Sequence, residues 1–407
     1  MAYRQFVVPR DIFYGQGAFN VLATMPGERV LIVTYQGVRG LGLVERAEEI
    51  LRTNKTEIAV FDRTELEPSK STVCDVFSIA RDFQPDLIIG LGGGSSIDAG
   101  KMGWVLYEHP DLATRSLPEI VQELPNRTLR HKAKYAGIST TSGTGSEASC
   151  IAVINNHDVE PTARVVLRSL HMVPDIAVAD PELASSMPPG LTANTGFDAM
   201  IHALESYVLT PPSGLIDSLA IGAAKAIWEW LPRAVADGKD MQARDKMHLA
   251  ALQAGMSFSN GRLGLVHVPA DQIDVAFGIP HGMACALMLC PAFAFLYPSH
   301  KARLSSLAAS LGIAGVDDQT KVANLLTGLD QLKQKVGIPL AIKETGQEEN
   351  YFQAKLDSMA DGYMKRISPL STTLTPDARR AAGMLMSTAE AKELFTHAWN
   401  GTRAELR

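Results

Sequence analysis

Cysteine is scarce in this chain and never paired: Cys74, Cys150, Cys285 and Cys290 are its four, with no CxxC spacing among them. Neither a disulfide framework nor a thiolate zinc site is therefore expected, and packing is their expected role. There is no excess of positive charge either. Lys and Arg number 38 against 44 Asp and Glu, for a formal net charge of -6, and no basic run stands out, which argues against a nucleic-acid partner. The opening MAYRQFVVPRDIFYG lacks a basic stretch followed by an apolar one. No uninterrupted apolar run looks long enough to span a bilayer, so a cytosolic protein without a membrane partner is expected. Internal repeats and low-complexity tracts are missing as well.

What is present is an ordinary globular composition, 46% hydrophobic and 20% charged, over 407 residues. That length exceeds what one core usually supports, so two domains are expected. Short β-branched apolar runs at 30–34, 57–61 and 87–91 alternate with helical stretches such as VERAEEILRTN, the pattern of a parallel sheet covered by helices. After the Pro-rich connection in PDIAVADPELASSMPPG the texture changes to apolar residues at three- and four-residue spacing. The expected division is an α/β domain over 1–186 and an all-helical domain over 187–407. Residues 104–134 read as a surface excursion.

Gly92, Gly93, Gly94 and Ser95 follow the run LIIGL and precede IDAGKMGWVL, a strand-to-helix turn. Glycines let backbone approach a ligand, and the N–H groups of a new helix favour an anion such as a pyrophosphate. The turn is not GxGxxG, so the ordinary dinucleotide fingerprint does not transfer. Thr140 to Glu147, TTSGTGSE, is a second loop of hydroxyls and glycines, which taken alone reads as a helix cap. Two such loops on one α/β half favour a dinucleotide.

Asp198 and His202 are four apart in a helical pattern, which stacks an oxygen and a nitrogen donor on one face. As a lone pair they would more often be a hydrogen bond. His267 in GLVHVPADQ and His281 in GIPHGMACALM lie in apolar sequence where a solvated imidazole is out of place. Three histidines and one carboxylate suit one divalent cation, iron(II) or zinc, and an open position on it would make the site catalytic.

The ordered set PRDIFYGQGA, EPSKSTV, GGGSSIDAGK at 92–101, TTSGTGSE at 140–147, DPELASSMPPGLTANTGFDAMIHALESYV and GLVHVPADQIDVAFGIPHGMACALMLCP resembles the iron-containing (group III) alcohol dehydrogenase family. Relatives of that family include glycerol dehydrogenase and dehydroquinate synthase type proteins. The resemblance spans most of the chain. It implies a dehydroquinate synthase-like fold, with a nucleotide-binding domain built on a Rossmann-like parallel sheet, an all-α C-terminal domain and an active site in the cleft between them. It implies hydride transfer between NAD or NADP and a small alcohol or aldehyde, one divalent metal with Fe2+ ahead of Zn2+, and a homo-oligomer, commonly a dimer. Carried over by position, Gly93, Gly94 and Ser95 contact the pyrophosphate, Asp98 and Lys101 lie beside the cofactor, and Thr140, Thr141 and Ser146 contact its nicotinamide side. Asp198, His202, His267 and His281 are the implied ligands.

Two departures stand out. The family usually has a second histidine four residues after the third ligand, as a proton relay, where this chain has Asp271. Asp271 is preferred as the general base beside His267, with an added metal carboxylate or an altered reaction as alternatives. NAD-preferring relatives tend to carry Asp at the end of the first nucleotide-domain strand; here Tyr35 stands there, and neither Gln36 nor Gly37 offers a cation, so NAD versus NADP stays open. Two rivals remain: a dehydroquinate synthase-like lyase or cyclase, and a non-catalytic relative. The first would need several basic residues near the ligands, whereas 192–210 and 261–291 hold only Arg262. Four intact ligand positions argue against the second.

Overall fold

A computed structural model describes residues 4–157, 163–371, 379, 384 and 387–406. The chain divides into two compact units between Met187 and Pro188. The first unit runs β1 (Asp11–Tyr14), β2 (Arg29–Val33), α1 (Gln36–Gly40), α2 (Leu43–Arg52), β3 (Glu57–Phe61), α3 (Lys70–Phe83), β4 (Leu87–Gly92), α4 (Gly94–Glu108) and α5 (Leu117–Glu123). It continues with β5 (Lys134–Ser139), β6 (Ile151–Asn156), β7 (Ala163–Arg168) and β8 (Ile176–Ala179). Six strands form one parallel sheet in the order β1-β8-β5-β4-β2-β3, while β6 and β7 pair antiparallel in a separate ribbon.

Alternation along the central strands explains the layering. On β2, Val30 and Ile32 join Val44, Ala47 and Leu51 of α2 in one cluster, whereas Leu31 and Val33 join Val73 and Val76 of α3 and Trp104 of α4 in another. Successive side chains point to opposite faces, so a strand covered on both sides must be apolar throughout, as LIIGL is. The expected surface excursion over 104–134 is corrected here. Trp104, Val105, Leu106, Leu112, Leu117, Ile120 and Leu124 are all buried. The Glu108 carboxylate accepts from the amides of His131, Lys132 and Ala133, tying the returning chain to the end of α4.

The second unit comprises α6 (Pro189–Leu209), α7 (Gly214–Ala236), α8 (Met241–Asn260), α9 (His267–Phe277), α10 (His281–Ser310), α11 (Asp318–Lys335), α12 (Glu349–Ser371) and α13 (Thr388–Asn400) around one hydrophobic core. Helix α6 is apolar on every side and buried for most of its length, so its polar residues are held in the interior. Helix α10 is long and apolar enough, by length and composition alone, to cross a membrane. Its apolar window is 72% buried within the fold, which makes it a core helix here. Pro291 and Pro298 lie within it, and it kinks at His300, which departs from helical geometry just after Pro298.

Candidate functional site

Two constellations stand out, one in each unit. In the first, β4 ends at Gly92 with φ +151, where a side chain would meet Ser96 Oγ at 2.6 Å. Helix α4 then starts at Gly94 with no side chain capping it, so its first amides are open to an anion. The Thr140–Glu147 loop leaves the neighbouring strand β5 and closes on this turn: Thr140 N donates to Gly92 O at 2.9 Å. A Cβ on Gly94 would meet Thr144 Cγ2 at 2.8 Å, so glycine is what allows the two loops to touch. Thr141 Oγ1 and Ser96 Oγ are buried without hydrogen-bond partners, as hydroxyls awaiting a ligand would be. The Tyr35 ring lies 3.7 Å from a Cβ built on Gly92.

The remaining expected contacts in this unit brace the loop. Ser95 Oγ donates to the Leu66 carbonyl, and Ser146 N donates to Thr144 Oγ1 at 3.3 Å. Lys101 is fully buried, its ammonium donating to the carbonyls of Ser149 and Ile151, both at 2.8 Å. Asp98 Oδ2 accepts from Val153 N at 2.9 Å. Together they stitch α4 to β6. Burial raises the Asp98 carboxyl to about 6 against the pull of Lys101, and raises Glu147 to about 7.

In the second unit α6 presents Asp198, His202 and Glu205 along one face, at positions i, i+4 and i+7. Glu205 Oε1 accepts from the amides of Gly264 and Val266 at 3.2 and 2.7 Å, and Oε2 from His267 N at 3.4 Å. The same carboxylate holds His267 Nδ1 at 2.5 Å. His267, first residue of α9, is thereby turned so that Nε2 lies 3.6 Å from Asp198 Oδ1. His202 Nε2 lies 3.8 Å from the same oxygen, its ring stacked on His267 at 4.7 Å and on Phe258 at 4.4 Å. His281 opens α10, where Gly282 lets that helix approach α6: a Cβ there would stand 2.2 Å from Asn194 O. Asp274 Oδ2 holds His281 Nδ1 at 2.8 Å, and the ring's Nε2 is 3.6 Å from Cys285 Sγ.

Asp198 Oδ1 and His267 Nε2 are buried and lack any hydrogen bond. Gaps of 3.6–3.8 Å are too long for one. They match the spacing of atoms placed tetrahedrally about 2.0–2.3 Å from a shared ion, roughly 3.3–3.8 Å. The donor set therefore fits a divalent cation. Burial opposes charge on both groups, yet His202 and His267 hold Asp198 far below the usual carboxylate range, and Asp198 and Glu205 raise His267 to about 10.

Asp271 stands one turn along α9 from His267, ion-paired with Arg366 of α12, with Oδ1 3.5 Å from His281 Nδ1. Phe277 and Met283 line an open groove of about 590 Å³ beside the start of α10, together with Ile279, Pro280 and Ile338.

Residues 9–181 match the sequence pattern of iron-containing alcohol dehydrogenases, and 192–373 match the C-terminal pattern of the same family. The chain belongs to the iron-containing alcohol dehydrogenase family. As such it is a nicotinamide-linked, metal-dependent oxidoreductase of alcohols and aldehydes rather than a lyase or cyclase. An NADPH-dependent butanol dehydrogenase of Clostridium saccharobutylicum is 37% identical over 358 residues, covering 88% of this chain and 90% of the relative. A 1,3-propanediol dehydrogenase of Klebsiella pneumoniae is 31% identical over 371 residues, 86% of this chain and 92% of the relative. The solved structure of an alcohol dehydrogenase from Oenococcus oeni is 29% identical, covers 98% of this chain and 100% of its own, and superposes with a TM-score of 0.85.

For an iron-containing alcohol dehydrogenase, sequence reasoning missed four residues: Glu205, Asp274, Cys285 and Arg366. Glu205 had a signal, since it continues the helical face of Asp198 and His202, and Cys285 had another, one turn after His281. Arg366 had none, because its partner Asp271 lies in a different helix far along the chain.

Proposed function

We propose that this chain interconverts short-chain aldehydes and alcohols with NADPH, and that Asp198, His202, His267 and His281 hold the single divalent cation on which it depends. The observation that carries the reading is the pair of buried, unsatisfied donor atoms, Asp198 Oδ1 and His267 Nε2, facing each other at ion-sharing distance. A cation bound there would supply Lewis acidity toward the substrate oxygen. The chain's own residues do the rest. The uncapped start of α4 at Gly93, Gly94 and Ser95 takes the pyrophosphate, and the hydroxyl of Thr141, with Thr140 and Ser146 nearby, meets the rest of the dinucleotide. Asp98 and Lys101 hold that loop in shape from beneath. Asp271, held in place by Arg366, is the proton acceptor, in the position where relatives carry histidine.

NADPH is favoured on two grounds. Tyr35, between β2 and α1, brings no carboxylate to repel a 2′-phosphate, and the butanol dehydrogenase is NADPH-dependent. Names of the relatives point to alcohols of three or four carbons.

The test is reduction of butanal and propanal by the Fe2+- or Zn2+-loaded protein, followed by the absorbance of NADPH. Activity and metal content should both collapse in His267→Ala. In Asp271→Asn metal should stay while turnover drops by about 10²–10⁴-fold, the usual worth of a general base. A metal-free His267→Ala protein that still turns over defeats the metal assignment, and full activity in Asp271→Asn removes the acceptor role.

A further inference from the structure

Asp198, His267 and His281 belong to two overlapping donor sets. The set proposed from the sequence is completed by His202, whose Nε2 lies 3.8 Å from Asp198 Oδ1. The other is completed by Cys285: a donor atom from each of Asp198, His267, His281 and Cys285 lies within 4.8 Å of those of the other three. We propose that the Cys285 sulfur ligates the same cation, making a mixed oxygen, nitrogen and sulfur site that favours zinc over iron(II) more than aspartate and histidines alone would. This rests on the metal reading given under Proposed function.

Geometry is the first support. The Asp198 Oδ1 to His267 Nε2 gap and the His281 Nε2 to Cys285 Sγ gap are both 3.6 Å, and each is the length of a tetrahedron edge around an ion of this size. The second support is enclosure: Cys285 is 0% exposed, and Asp198, whose Oδ1 has no hydrogen bond, is only 5% exposed, so both are buried donors beside His267 and His281. On ligation the thiol gives its proton to solvent and the sulfur lone pair forms the bond to the metal, with no change of oxidation state. In the metal-free protein burial and the charge of Asp198 keep the thiol protonated well above its ordinary range. Thiolate is a soft donor that zinc tolerates better than iron(II) does, which is why the preference shifts.

The full-length protein, stripped of metal and titrated with Co2+, separates the outcomes. Visible d–d bands report that the site is filled, and a near-ultraviolet sulfur-to-cobalt charge-transfer band reports thiolate ligation. Both are expected in the unaltered protein, and only the d–d bands in Cys285→Ala. Competition between Zn2+ and Fe2+ under anaerobic conditions, read by elemental analysis, should show the Zn:Fe ratio at the site falling at least about tenfold in Cys285→Ala, since even outer-shell changes cost 10–100-fold in metal affinity. Filled-site bands without the charge-transfer band overturn the proposal while leaving the metal reading intact. An unchanged band or an unchanged ratio in Cys285→Ala overturns it too, the band then arising from another cysteine. No cobalt uptake at all removes the metal reading and this inference with it. The decisive spectrum is taken on the unaltered chain, so a variant that fails to fold does not spoil the test.

Discussion

Glu205 is fully buried on α6 and accepts from three backbone amides while holding His267 Nδ1. It fixes both the path of the chain into α9 and the orientation of the imidazole. Replacing it with alanine strands those donors in an apolar interior, where each unmet donor costs about 1–3 kcal/mol. Glu205→Ala should therefore lose roughly 3–5 kcal/mol by urea denaturation and bind metal about 10–100-fold more weakly by titration. Glu205→Gln, which keeps one acceptor oxygen, should fall between the two proteins; an alanine variant with native metal affinity would refute this account of the carboxylate. That Asp198 and His202 share one face of α6 was legible from spacing, because a helix repeats every 3.6 residues. Glu205 sits on the same face, yet an acid on a helix usually reads as solvated, and only the burial of α6 on all sides reverses that. Cys285 was read as packing because a lone cysteine seldom means more. Its i, i+4 spacing from His281 was there to read, and it gains weight only once α10 is seen to begin at that histidine.

At the scale of elements, the turn at Gly92–Gly94 and the Thr140–Glu147 loop depend on glycines that let backbones touch. Gly137 on β5 is such a contact: a Cβ there would stand 2.7 Å from Glu147 Cα, and backbone cannot rotate out of the way. Gly137→Ala should push the Thr140–Glu147 loop off the strand at an overpacking cost of about 1–3 kcal/mol. Because the Thr141 hydroxyl travels with that loop, NADPH should bind at least about tenfold more weakly, as 1.4 kcal/mol is tenfold in affinity. Fluorescence titration with NADPH reads this directly, and an unaltered dissociation constant would show that the loop does not carry the cofactor. Strands at 29–33, 57–61 and 87–92 were readable because a doubly covered parallel strand must be short and apolar throughout. Two features were not. Helix α4 reaches Glu108 because Trp104, Val105 and Leu106 pack inside, and their spacing beyond the glycine turn resembles a surface mix. The β6–β7 ribbon pairs outside the main sheet, so no alternation with helices announced it.

At the scale of the whole molecule, an α/β half followed by a helical half was legible because the hydrophobic period changes near residue 187. Stability as a function of pH was not, since it depends on which acids the fold buries. Asp98 and Glu147 are both raised by burial, to about 6 and about 7, from ordinary values near 4. Over that interval the folded chain keeps protons that the unfolded chain has released. Stability from these two groups is therefore complete below about pH 4 and is lost as pH rises toward 7, the reverse of the usual paired carboxylate. Asp198 is shifted the other way, so its contribution is lost only in strong acid. His267, raised to about 10, adds a decline that begins only above about pH 6.5 in metal-free protein. The Glu147 share is best isolated by difference. Glu147→Gln cannot ionise, so relative to the unaltered metal-free protein its unfolding free energy should improve steadily from pH 5 to pH 7, by roughly 1–3 kcal/mol, since each tenfold change in proton affinity is worth about 1.36 kcal/mol. Urea denaturation at half-unit pH steps measures it. A difference that stays constant across that range would mean that Glu147 is already ionised inside the fold, and that the polar interior beneath the glycine turn is far better solvated than its burial implies.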